Sequence, residues 1–185
     1  MPLANKNKLK YKHYAEGDRI YLRSVVQEDA TPEYVNWMND SQVVQFLESR
    51  FKKYVLSDIQ KYISSFENDA DNVFLAIIVK ESEKHIGNIK IGPINREHNF
   101  ADVGIMIGNK TQWGKGYGTE AVKIATHYAF EKLRLHKLMA GCYADNRGSS
   151  RTFLKAGYVQ EGIRKKKFLY NGKYVDELIF GVLNE

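Results

Sequence analysis

The sequence predicts an α/β domain in which helices flank a mixed, mostly antiparallel sheet of about seven strands. Three observations carry that reading. Short apolar segments such as IYLRSV (20–25) and VFLAIIV (73–79) have strand length and strand composition. From Thr119 onward, Ala121, Val122, Ala125, Ala129 and Leu133 recur at helical spacing, with Glu120, Lys123 and Glu131 between them. Asn171-Gly172 separates two strand-like runs, a type I′ hairpin signal that closes the chain with antiparallel strands.

Residues 20–25 form the first strand. Thr31 and Pro32 then supply an N-cap and first-turn pair for a helix through Trp37. Ser41 caps a short helix through Leu47, and Ser57 with Gln60 makes a capping box for a third. Residues 73–80, 85–92 and 101–108 are successive strands, followed by a glycine loop and the helix from Thr119. LMAGCY (138–143) is a strand, 148–156 a short helix stopped by Gly157, and the last two strands flank residues 171–172.

The chain has 185 residues, enough for one domain that buries about two thirds of its unfolded surface. Residues 1–17 read as a polar basic tail containing Lys6, Lys8, Lys10 and Lys12, and 18–185 as a single domain. Cys142 is the only cysteine, so no intrachain disulfide forms, and the N-terminal lysines precede no apolar segment; both fit a cytoplasmic location. The longest apolar run has seven residues where a membrane helix needs roughly twenty. The net charge of +6 suits an anionic partner, but no zinc-finger or RNP signature accompanies it, so nucleic acid is not the expected one.

The stretch TQWGKGYGTEA (111–121) carries the chemistry. Gly114, Gly116 and Gly118 expose backbone N–H groups at a helix N-terminus, whose unpaired donors and partial positive charge suit a phosphate or pyrophosphate. Neither G-x-x-x-x-G-K-S/T nor G-x-G-x-x-G fits the spacing.

A strand, this loop, a helix, a strand, then Asn146 with Ser149 and Lys155-Ala156-Gly157-Tyr158, resembles the GNAT N-acetyltransferase superfamily, in particular its ribosomal-protein N-terminal acetyltransferase branch. DRIYLRSVVQEDA and WMND extend the resemblance to about residues 18–183. It implies acetyl-CoA as cosubstrate, no metal, and strands that splay before and after the glycine-loop helix. Trp113, Gly114, Lys115, Gly116, Tyr117, Gly118 and Thr119 would then hold the pyrophosphate. The family's usual Arg or Gln is replaced by Trp113, with Gln112 one place earlier, so backbone donors carry that contact. Met106 and Ile107 would offer backbone hydrogen bonds to the pantetheine arm and to the thioester oxygen as it gains charge. Asn146 would lie near the arm while also capping the following helix.

The resemblance implies transfer to a primary amine, and each proton-transfer role has a candidate. The family's acid tyrosine corresponds to Phe153; Ser149 matches the serine of the ribosomal-protein branch, which implies a donor to the departing sulfur, or alternatively it is a helix cap. The branch's glutamate corresponds to Phe168; Asp102 is the base candidate, acting through water, or an ordinary strand-end carboxylate. Glu48, His98 and Glu177 are further candidates. Holding a lysine-like amine neutral at pH 7 costs about 4.6 kcal/mol, against about 1 for an α-amine. A weak base therefore suits a protein N-terminus or a nucleotide-linked amino sugar better than a polyamine. A non-catalytic acetyl-CoA binder, or a polyamine or small-molecule amine acetyltransferase, is the alternative, and a homodimer is compatible with each.

Overall fold

The computed structural model describes residues 13–185, so the lysines at 6, 8, 10 and 12 lie outside the described residues. In chain order the elements are β1 (His13–Glu16), β2 (Ile20–Ser24), α1 (Pro32–Asn39), α2 (Ser41–Val44), α3 (Leu56–Ser64), β3 (Val73–Val79) and β4 (Lys84–Asn95). They continue as β5 (Phe100–Ile107), α4 (Tyr117–Glu131), β6 (Lys137–Tyr143), α5 (Arg147–Lys155), β7 (Val159–Tyr170) and β8 (Lys173–Leu183). The strands make one eight-stranded sheet in the order β1-β2-β3-β4-β5-β6-β8-β7, in which β5 and β6 are the parallel pair.

The extra strand is β1, which the sequence places in the tail. HYAE has no strand pattern of its own. It is ordered by pairing with the open edge of β2, by Tyr14 packing edge-on against Tyr128 and by His13 stacking on Tyr21. The domain therefore begins at least four residues before the expected boundary. Helix starts also differ in detail. Thr31 caps α1 as expected, accepting from Tyr34 N at 3.2 Å. Asp40, not Ser41, caps α2, and α3 begins at Leu56 with Asp58 accepting from Val55 N in place of the Ser57–Gln60 box. A carboxylate near a helix start is favoured by the dipole as well as by the hydrogen bond.

The apolar pattern sorts the two faces. Ala121, Val122, Ala125 and Ala129 of α4 pack with Ile77, Ile86, Ile89 and Ile91 in the larger core, and the small alanines let the helix sit close to the sheet. Each fully buried isoleucine contributes about 1.5–3 kcal/mol. On the opposite face, α1 and α3 bury Tyr34, Trp37, Ile59 and Ile63. Asn171 and Gly172 both have positive φ, as a type I′ turn requires, and set the β7–β8 register from Tyr170↔Lys173.

Between α1 and the sheet lies a buried ion pair. Arg23 donates to both oxygens of Asp29 at 2.7 and 2.6 Å, and Val26 N donates to Asp29 at 2.9 Å. Burial opposes the charged carboxylate, but the hydrogen bonds and charge of Arg23 outweigh it and hold the group below its ordinary range. Because the folded value is depressed, the stabilisation is complete above the unfolded value of about 3.9 and is lost as pH falls through the folded one. Asp29→Asn removes the carboxylate that Arg23 engages with two hydrogen bonds in the interior, and is expected to cost about 3–5 kcal/mol in denaturant melts. The variant should also lose part of the acid dependence of stability between pH 5 and the acid transition. Loss of under 1 kcal/mol would mean that water reaches the pair.

Candidate functional site

The parallel pairing of β5 and β6 is confined to Phe100, Ala101 and Asp102. Beyond it β5 keeps β4 as partner through Ile107, and β6 keeps β8, with which it pairs from Lys137 to Tyr143. The divergence opens the sheet, and two cavities meet there, sharing Leu47, Ile105 and Met106.

The larger cavity, about 680 Å³, lies on the side of α4 and α5. Ile107, Trp113, Gly114, Gly116, Tyr117, Gly118 and Thr119 line it from the loop, as does Met106 from β5. Gly114 and Gly116 have φ of 75° and 86°, conformations that turn the chain so that α4 starts with its N–H groups toward the cavity. Lys115 is the exception: it lies outside the lining, its carbonyl accepts from Arg19 at 2.8 Å and its Nζ donates to Gln112 at 3.1 Å. Trp113 donates its indole N–H to the Ile107 carbonyl at 2.8 Å, so that carbonyl is already engaged.

Several residues of this cavity go beyond the sequence reading. Arg19 straps the loop, donating to Glu120 at 2.9 Å through Nε and lying 4.7 Å over the Tyr117 ring. Arg147, Arg151 and Lys155 line the opposite wall from α5. Their four-residue spacing puts three cations on one helix face, a pattern readable in the sequence once the helix is placed. Positive-φ glycines, a helix N-terminus and three cations make a chemically suitable receptor for a polyphosphate.

Asn146 and Ser149 line the same cavity. Asn146 is the N-cap of α5, accepting from Ser149 N at 3.0 Å, so capping belongs to Asn146. The Ser149 side chain lies near the Cys142 thiol, whose pKa burial pushes up to about 11 while Ser149 works in the other direction.

The smaller cavity, about 500 Å³, lies on the side of α1 and α3. Tyr34, Tyr54, Tyr62 and Phe74 make an aromatic wall with Ile59 and Met38. Its charged groups are Lys52, Asp58 and Lys90, and Asp58 is held by Lys52 at 2.9 Å. Backbone and lysine hydrogen bonds keep that carboxyl below its usual range.

The base candidates are not gathered here. Asp102 lines neither cavity, and four residues of extended strand, roughly 13 Å, separate it from Met106. Burial raises its pKa while Lys90 and Arg164 pull it down. Glu177 is buried across Gly141, paired with Arg164 at 2.9 Å and Lys167 at 2.7 Å. His98 sits in the β4–β5 turn, at the end of β5 away from Met106. Glu48 follows Leu47 and accepts from the Tyr143 hydroxyl at 2.9 Å; Arg50 donates to the same hydroxyl at 2.7 Å. Phe168 stacks on Tyr143 at 3.9 Å, and Phe153 is buried in the larger core.

Among the described residues no helix is long and apolar enough to cross a membrane, and no cluster of metal-ligating side chains occurs. Residues 19–159 match the acetyltransferase (GNAT) domain family. The chain is 35% identical over 127 residues to the probable N-acetyltransferase YjcK of Bacillus subtilis, covering 68% of this chain and 69% of that one. It is 30% identical over 158 residues to the spermidine N(1)-acetyltransferase of Escherichia coli K12, covering 84% and 81%. The structure superposes on the ribosomal-protein-S5-alanine acetyltransferase of Vibrio fischeri with a TM-score of 0.79 at 21% identity, over 92% and 96% of the two chains. The chain belongs to the GNAT acetyltransferase family and is an acetyl-CoA-dependent amine N-acetyltransferase.

Proposed function

We propose that the chain acetylates the α-amine of a peptide or protein N-terminus with an apolar first residue, binding acetyl-CoA in the larger cavity and the acceptor in the smaller one. The charge of the smaller cavity carries this reading. Its wall is aromatic, its one carboxylate is spent on Lys52 and on the start of α3, and Lys90 has no ion pair among the described residues. A polyamine would bring further ammonium groups beside Lys90 with no unpaired carboxylate in the lining to hold them, where two like unit charges 4 Å apart repel by about 4 kcal/mol under an effective dielectric of 20. The name of the Escherichia coli relative points to spermidine, and the cavity's charge opposes it. A nucleotide-linked amino sugar is the second reading, favoured by Lys52 and Lys90 as partners for a diphosphate.

In this reading acetyl-CoA supplies the thioester, and the protein orients and discharges the reacting groups. Backbone N–H groups at Met106 or Ile107 stabilise the charge that develops on the thioester oxygen. Ser149 Oγ donates to the departing sulfur. With Asp102 and Glu177 outside the lining of both cavities, an α-amine that needs only about 1 kcal/mol to be neutral at pH 7 fits better than an alkylammonium.

Three substitutions test the assignment. Gly118 is helical, and a methyl there meets only Thr152 and Ile107 at 3.7–3.8 Å. Gly118→Ala is therefore expected to raise stability by up to about 1 kcal/mol while weakening acetyl-CoA binding about tenfold by calorimetry. Unchanged affinity would remove the loop from the coenzyme site. Ser149→Ala should lower kcat by at least about tenfold with the melting temperature nearly constant, because Asn146 holds the cap. A drop in melting temperature at constant kcat would make Ser149 structural. Gly104 lines the smaller cavity with open space where a side chain would stand. Gly104→Phe should abolish acceptor turnover yet preserve acetyl-CoA binding. In the unmodified protein, thiol-release assays should favour peptides over spermidine by about tenfold or more in kcat/KM, levelling off near pH 8. The reverse preference would mean that the acceptor is a polyamine.

A further inference from the structure

Among the described residues, two buried side-chain polar atoms lack any partner, Asn88 Nδ2 and Ser49 Oγ, and both residues line the smaller cavity. Asn88 is only 4% exposed. It lies on β4 directly across from Met106, the residue at which the two cavities meet. A buried amide left without a partner costs about 1–3 kcal/mol, so an orphan at this position calls for a ligand that supplies the acceptor.

The amide's orientation is determined by its neighbours. His85 Nε2 lies 2.9 Å from the Gly87 carbonyl and 2.9 Å from Asn88 Oδ1. A carbonyl oxygen only accepts, so Nε2 carries the proton and shares it between the two. Asn88 therefore spends its oxygen on His85 and turns its NH₂ away. Burial lowers the His85 pKa and keeps the ring neutral, although Asp29, 3.6 Å from Nδ1, works in the other direction. Arg23 occupies both Asp29 oxygens, and Tyr34 and Trp37 close the ring edge-on at 6.0 and 5.2 Å. His85, packed between Asp29 and Asn88, thus fixes the orientation of the amide, and Asn88, which lines the smaller cavity, keeps its donors unpaired.

We propose that Asn88 is a specificity residue whose Nδ2 donates to a carbonyl oxygen of the acceptor, the one that an N-terminal residue carries next to its α-carbon. The inference rests on the smaller cavity being the acceptor site and narrows its substrates to amines bearing a neighbouring carbonyl. Simple alkylamines and polyamines have no such oxygen and leave the amide unpaired. Recognition of this kind discriminates strongly, because the wrong ligand forfeits a hydrogen bond and strands a buried donor.

The test compares a short peptide amide having an N-terminal leucine with isoamylamine, its carbonyl-free counterpart in size. The unmodified protein is expected to favour the peptide amide in kcat/KM, and Asn88→Ala to reduce that ratio about tenfold, mainly through KM. Asn88→Asp, which replaces the donors by acceptors, should reduce it further, and His85→Leu, which frees the amide to rotate, should reduce it less. Acetyl-CoA affinity and melting temperature report whether each variant remains folded. If neither amine turns over, calorimetric binding of the two amines to the CoA-loaded protein makes the same comparison. A ratio that Asn88→Ala leaves unchanged overturns the role of Asn88 while leaving the cavity assignment intact. Full acceptor activity in Gly104→Phe would instead overturn the cavity assignment, and this inference with it.

Discussion

The separation of β5 from β6 after three paired residues is the constraint on which the rest of the molecule depends. A parallel pair normally continues along its length, since each unpaired backbone group costs free energy when buried. Here β5 retains β4 on one side and gives up its other partner, so the backbone of residues 103–107 faces a gap. That gap is where a ligand with amide groups of its own can complete the sheet. It also joins the two cavities, because Ile105 and Met106 are reached from opposite faces of the same exposed strand end.

The two cavities are built for different chemistries. The larger has glycine backbone, the α4 N-terminus and a row of cations from α5, which suits a polyanion. The smaller is aromatic, with a cationic bias and no carboxylate free to hold an ammonium. The overall charge of +6 is therefore accounted for in part by the cations lining the larger cavity, and it gives no reason to invoke nucleic acid. Arg19 and Glu120 connect the domain's beginning to the glycine loop, so the β2 start and the α4 start are held as one unit.

The buried chain from Arg23 to Asn88 links stability to recognition. Asp29 neutralises Arg23 and packs against His85, which orients an amide whose NH₂ makes no bond within the fold. An unpaired donor that a stable protein retains is better explained by what it binds than by what it packs against.

Legible in the amino-acid sequence were the element order from β2 onward, the glycine loop, the Asn171-Gly172 turn, and through its motifs the family and its cosubstrate. These are local: periodicity, turn chemistry and cap residues act within a few positions, so Thr31, Gly116 and the α4 alanines could be read without knowing their neighbours. Tertiary structure alone decided the rest. β1 forms because β2 offers it an edge, and Asp102 lies outside the lining of both cavities, four strand residues from Met106. Capping of α5 falls to Asn146, and the His85 ring that orients Asn88 from three residues away on β4 is held in place by Asp29, Tyr34 and Trp37 from other elements. Side-chain donors and charges act across a few ångströms, and which residues come within that reach is set by strand register and helix packing, not by spacing along the chain.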